Sequence, residues 1–263
     1  MNDLIFYIFA GAGVGLAVGL TGVGGGSLMT PLLILSGVPE KLAIGTDLLY
    51  AAATKTGALY GHHKQSNVRW RTVALLASGS IPASLITAYG LKSWIPPDFD
   101  YSPILTHSLG VMLIITAFVV FFKNRIQTES ESADPVHTWV QRHSSPVTVI
   151  AGILLGILVT LSSVGAGAFC AALLLTLYPR WPALRVVGTD IAHAVPLTLF
   201  AGMGHLWNGN VDFQLLGGLL IGSLPAVHFG TKLAARVPNG ILQPLLATIL
   251  LIIGTRFAFF AVH

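Results

Sequence analysis

Asp47, Lys55 and Asp190 are charged residues set inside long apolar runs of a 263-residue chain. An ionisable side chain in such a run is costly to bury in lipid, and by default it marks a substrate, ion or proton pathway. Each aspartate could take a proton or coordinate a sodium ion. Lys55 could attract an anion or pair with Asp47. His193 stands three residues after Asp190, so the two share a helical face and could form a proton relay or gate. These four residues are the candidates for coupling or gating.

A second chemistry is carried by glycine. Gly19-Leu20-Thr21-Gly22-Val23-Gly24-Gly25-Gly26-Ser27 interrupts sequence that is uncharged on both sides. In lipid such a break is tolerated only where it is buried in protein or lines a cavity. A helix restarting after the break would present free N–H groups and the positive end of its dipole to an anion. Glycine would let a small oxyanion approach the backbone, and hydroxyls would add donors. Thr21, Gly24, Gly25, Gly26 and Ser27 are therefore candidate substrate contacts. The arrangement returns at Ser163-Val164-Gly165-Ala166-Gly167-Ala168, which adds Ser163, Gly165 and Gly167.

Plainer roles compete for the same residues. Small residues also line close helix packing in membranes. Thr46-Asp47 and Thr189-Asp190 fall where helices are expected to begin, and Thr or Asp there caps free N–H groups. Lys55 could snorkel to an interface. Cys170, three residues past the second break, is as a lone cysteine an ordinary small buried residue. It excludes an internal disulfide and a Cys-rich metal site. No cofactor and no metal is expected, since His62-His63 has no third ligand nearby.

The elements that must hold these residues are membrane helices. The chain is 54% hydrophobic and 9% charged, with a mean hydropathy of +0.77. Soluble domains carry about 25% charged residues. An all-α polytopic membrane protein follows, and the net charge of +4 reports orientation rather than nucleic acid. Apolar segments run at 4–20, 24–38, 42–62, 72–91, 104–122, 147–162, 164–178, 186–206, 211–231 and 240–262. The polar stretch 124–146 reads as a linker between a first membrane repeat, 1–123, and a second, 147–263.

The halves repeat. Gly45-Thr46-Asp47 returns as Gly188-Thr189-Asp190, Gly61-His62 as Gly204-His205, and Gly79-Ser80 with Pro82-Ala83 as Gly222-Ser223 with Pro225-Ala226, all 143 residues on. With five helical segments per half, two of them short and flanking the Gly break, ten basic residues sort to one side, while Lys41, Lys92 and Arg256 fall on the other. Lys64, Arg69, Arg71, Lys123, Arg125, Arg142, Arg180, Arg185, Lys232 and Arg236 then face the cytoplasm. The linker 124–146 lies with them, and both termini lie outside. Five is odd, so the second half is upside down. Inverted repeats with interrupted helices are a recurring transporter design whose site sits near the midplane.

Gly22-Val23-Gly24-Gly25-Gly26-Ser27, Gly45-Thr46-Asp47-Leu48 and their repeats at 163–168 and 188–191 resemble the sulfite exporter TauE/SafE family over residues 5 to 260. The resemblance implies a transporter, leaning to export, of small sulfur-containing or organic anions such as sulfite or sulfoacetate in the cell inner membrane. Expected partners are that anion and the lipid bilayer, with a coupling proton or sodium ion and a homo-oligomer left open. The alternatives are a proton- or sodium-coupled importer of another organic anion and a metal-cation transporter. An enzyme is not expected, because Ser27 has no His or Asp at a compelling spacing.

Overall fold

The computed structural model describes residues 2–21, 26–96, 98–129, 144–234 and 239–260, with side chains over 4–20, 27–96, 98–122, 144–233 and 243–260. The described residues form ten helices and no strand. They are α1 (Asn2–Thr21), α2 (Gly26–Leu35), α3 (Glu40–Lys64), α4 (Trp70–Ser93), α5 (Ser102–Glu129), α6 (Ser144–Ser162), α7 (Ala168–Leu177), α8 (Ala183–Trp207), α9 (Phe213–Ala234) and α10 (Asn239–Phe259). They follow the ten apolar segments in order. Helix α5 runs on to Glu129, past the boundary expected at 123.

Five helices are long and apolar enough to cross a membrane: α4, Ser102–Phe122 of α5, α6, α8 and Phe213–Leu233 of α9. Helix α3, which carries Asp47 and Lys55, is not one of the five. Helices α2 and α7 have ten residues each. At 1.5 Å per residue they reach about 15 Å, half a bilayer core. Each follows a Gly-rich break, and each ends before a proline, Pro39 or Pro182, that begins the next long helix.

The main packing partners lie in opposite halves: α1 against α9, α4 against α6, α5 against α10, and α3 against α8. Glycine sets the first two contacts. A Cβ on Gly152 or Gly156 would strike the backbone of Leu76 or Ser80 in α4. One on Gly11 or Gly15, their repeat equivalents, would strike Leu219 or Ser223 in α9. The close-packing role of small residues is therefore real at these four positions.

Helices α3 and α8 run antiparallel. Gly45 near the start of α3 lies against His205 and Asn210 at the end of α8, and Gly188 near the start of α8 lies against Asn67. Two hydroxyls fasten the ends. Thr46 Oγ1 accepts the Asp212 N–H at 3.0 Å, and Thr189 Oγ1 accepts the Arg69 N–H at 3.1 Å. These bonds correct the capping expectation. Helix α3 begins at Glu40 and α8 at Ala183, so Asp47 and Asp190 lie a full two turns inside. Each threonine holds the residue that precedes a helix of the other half, and neither aspartate stands at a helix start.

Candidate functional site

The buried centre of the bundle collects polar groups from five helices. Asp47 is fully buried. Its Oδ2 accepts the Thr30 hydroxyl of α2 at 2.5 Å and the Ser163 hydroxyl at 2.9 Å. Ser163 belongs to the second break and has φ 58. That left-handed conformation is unfavourable for a side chain with a Cβ, and such residues persist where surrounding structure over-determines them. The turn continues through Gly165 at φ 114. Ser162 Oγ donates to the Leu158 carbonyl at 2.6 Å and accepts the Val164 N–H at 3.1 Å.

Lys55 does not snorkel. Its half-buried ammonium donates to the carbonyl of Ala166, in the second break. It lies within electrostatic reach of both Asp47 and Asp190. Asp190 is 6% exposed. The Cys170 thiol lies beside it, and its Oδ1 has no hydrogen-bond partner. His193, one turn further along α8, is hydrogen bonded through Nε2 to Ser80 Oγ of α4 at 2.8 Å. Its Nδ1 lies 3.9 Å from Cys170 Sγ. Tyr50, the repeat equivalent of His193, faces Ser223, the equivalent of Ser80. Ser223 Oγ has no partner at hydrogen-bonding geometry. Asp47, Lys55, Asp190 and His193, chosen separately in sequence, thus belong to one cluster.

A cavity of about 10 Å³ opens at the second break between Ser27 of α2, Thr116 of α5, and Ser163, Gly165, Ala166, Gly167 and Ala168. That is room for about one water. Its polar wall is hydroxyl and backbone. Thr116 is 1% exposed and its Oγ1 has no partner. Gly167 stands at the N-cap of α7, and no side chain caps that first turn. Ser27, Ser163, Gly165 and Gly167 line one space. Gly24 and Gly25, and the side chains of Thr21 and Gly26, lie outside the described residues.

Thr116 and Thr30 escaped the sequence reading. They are hydroxyls in apolar helices, at positions with no repeated motif. A signal for Thr30 existed in its place three residues after Ser27, on the same face of α2.

A family model described as sulfite exporter TauE/SafE matches residues 7–257. The chain belongs to the TauE/SafE family. It is 35% identical over 254 residues to the probable membrane transporter protein YjnA of Bacillus subtilis, covering 95% of this chain and 97% of that one. It is 27% identical over 236 residues to YdhB of the same organism, covering 88% and 90%. With the probable membrane transporter protein MJ0441 of Methanocaldococcus jannaschii it shares 25% identity over 265 residues, 94% and 92% of the two chains. No solved structure matches the chain. As a TauE/SafE member it is a membrane transporter, with several helices long and apolar enough to span a bilayer.

Proposed function

We propose that the protein is a secondary transporter that exports a small sulfur-containing anion, sulfite or a sulfonate, across the cytoplasmic membrane. The anion binds at the Gly-rich breaks. The supporting observation is the cavity at the second break: hydroxyls of Thr116, Ser27 and Ser163, an uncapped first turn of α7, and the Lys55 ammonium on the adjacent Ala166 carbonyl. Hydroxyl and N–H donors with one cation nearby suit an oxyanion. At about 10 Å³ the space is smaller than any such anion, so this state is occluded and the helices must part to load it.

The antiparallel crossing of α3 with α8 supports an inverted relation of the halves, and the positions of Lys and Arg favour a cytoplasmic 124–146 with both termini outside. Such a relation lets one site open to either side. The potential alone can drive export: one negative charge leaving an inside-negative cell gains about 2.3 kcal/mol per 100 mV. The buried carboxylates favour a second reading, an importer coupled to a proton or sodium ion.

Sulfite efflux from proteoliposomes, with and without an imposed potential, tests the proposal. Efflux is expected to follow the potential and to fall in Thr116→Val while surviving in Thr116→Ser. No sulfite or sulfonate flux in the wild type would withdraw the substrate. Flux indifferent to potential but dependent on an ion gradient would favour the second reading.

A further inference from the structure

The buried centre does not balance its charge. Two carboxylates, Asp47 and Asp190, face one ammonium, Lys55. Fully ionised, they leave one negative charge in excess. An anion arriving beside Ala166 would deepen that excess in a medium that solvates charge poorly. Something positive must accompany it.

The two carboxyl groups are built differently. Asp47 accepts two hydroxyls on Oδ2, from Thr30 and from Ser163. Hydrogen bonds of that kind hold a carboxylate in its charged form. Among the described residues Asp190 accepts no hydroxyl. Its polar neighbours are the Cys170 thiol and the Lys55 ammonium, and its Oδ1, like that of Asp47, is buried and unpartnered. A proton on that oxygen disturbs no existing bond.

Resting on the anion site above, we propose that Asp190 loads one proton together with each anion, while Asp47 stays ionised on its two hydroxyl donors. The proton comes from the aqueous side that supplies the anion, stays on an Asp190 oxygen during the crossing, and leaves on the far side. With a divalent anion the load still moves one negative charge, and the potential still drives it outward.

The charged or titratable groups around Asp190 are few. Lys55 and Asp47 face it from α3, Cys170 from α7, and His193 follows on its own helix. At the start of α4 the exposed Arg69 bonds the neighbouring Thr189 through its backbone N–H. Helix α6 contains no titratable side chain. A thiol and an ammonium are poor company for a sodium ion, which takes oxygen ligands. The donor set therefore fits a proton.

The test uses the full-length protein in liposomes, with Asp190→Asn, Asp190→Glu and Asp47→Asn. A pH step followed by infrared spectroscopy reads the carbonyl band of a protonated carboxyl without any substrate. The band is expected in the wild type, in Asp190→Glu and in Asp47→Asn, and absent from Asp190→Asn. Its survival in Asp190→Asn, or its absence from the wild type, overturns the proposal. Flux is then followed with sulfoacetate, whose own charge is constant near neutral pH, at zero potential. One pH unit should shift the wild-type distribution about tenfold, as one proton per anion requires. Asp190→Asn should elute as a monodisperse species in detergent, which shows that it is folded, and the flux it retains should ignore the gradient. Wild-type flux that ignores the gradient overturns proton loading and leaves the anion reading intact. The expected band without any sulfoacetate flux retires the sulfonate and supports the proton site.

Discussion

Ser163 Oγ donates to Asp47 Oδ2 at 2.9 Å, so the break of the second half is fastened to a carboxylate of the first. The donor sits at φ 58 to do so. The bond therefore ties the wall of the cavity to the buried charge cluster, and opening the break must loosen it.

Removing that donor should be felt in stability and in flux. Ser163→Ala and Thr30→Val each take one partner from a buried carboxylate, at about 1–3 kcal/mol. The double variant should fall short of the sum or exceed it, because both act on one oxygen. Ser163→Gly should cost less than Ser163→Ala, since glycine accepts positive φ freely. Thermal unfolding in detergent reads all four, and equal melting of Ser163→Ala and wild type would count against the role of this bond.

Lys55 is the cation of the centre. Lys55→Met should leave two carboxylates uncompensated and cut anion flux by about tenfold or more, the scale of one 1.4 kcal/mol contact. Lys55→Arg keeps the charge on a planar head that cannot reproduce a point contact with the Ala166 carbonyl, and should retain part of the flux. Combining Lys55→Met with Asp190→Asn should recover expression level, because it removes an unpaired charge. Full flux in Lys55→Met would remove the residue from the mechanism.

The glycine contacts predict a sharp split among substitutions. Gly79→Val and Gly222→Val would push a side chain into the carbonyls of Val149 and Ile8. Backbone cannot give way cheaply, so each should cost at least the ~1–3 kcal/mol of ordinary overpacking. Gly217→Ala meets nothing within 4 Å and should be silent. Size-exclusion profiles of the three variants check this. A monodisperse Gly222→Val would show that α1 and α9 can separate.

Membrane sidedness can be read with thiol reagents. Asn67 lies beside the start of α8 while Asn210 lies beside the start of α3. The two loops therefore stand at opposite ends of a 25-residue helix, roughly 35 Å apart. In a Cys170→Ser background, Ser66→Cys should react only from the cytoplasm and Asn208→Cys only from outside. Labelling of both from one side would end the inverted arrangement.

Much of this was legible before any coordinates. Periodic apolar runs fixed ten helices because lipid admits no other open secondary structure. The 143-residue echo of Gly-Thr-Asp marked the aspartates, although its duplication suited a structural cap used twice as well as a transport residue. What stayed hidden was who meets whom. Thr46 and Asp47 are adjacent and were read together, yet one holds Asp212 166 residues away and the other binds Ser163 116 residues away. Local propensity carries no record of such partners. Lys55 looked like a snorkelling cation, and only the fold brings the Ala166 carbonyl within its reach.

The exchange of partners between halves also sets an order of assembly. Helix α1 has its groove partner in α9, α4 has its partner in α6, and the residue before α4 is held by Thr189. A ribosome that has finished α5 has inserted five helical segments, and four of them, α1, α3, α4 and α5, still lack their principal neighbour. Translation must pass Gly230 before α1 can be clasped. For nearly the whole of its synthesis the first half is thus a waiting intermediate, stable enough to remain in lipid and unable to close, and the quality-control machinery meets it in that condition.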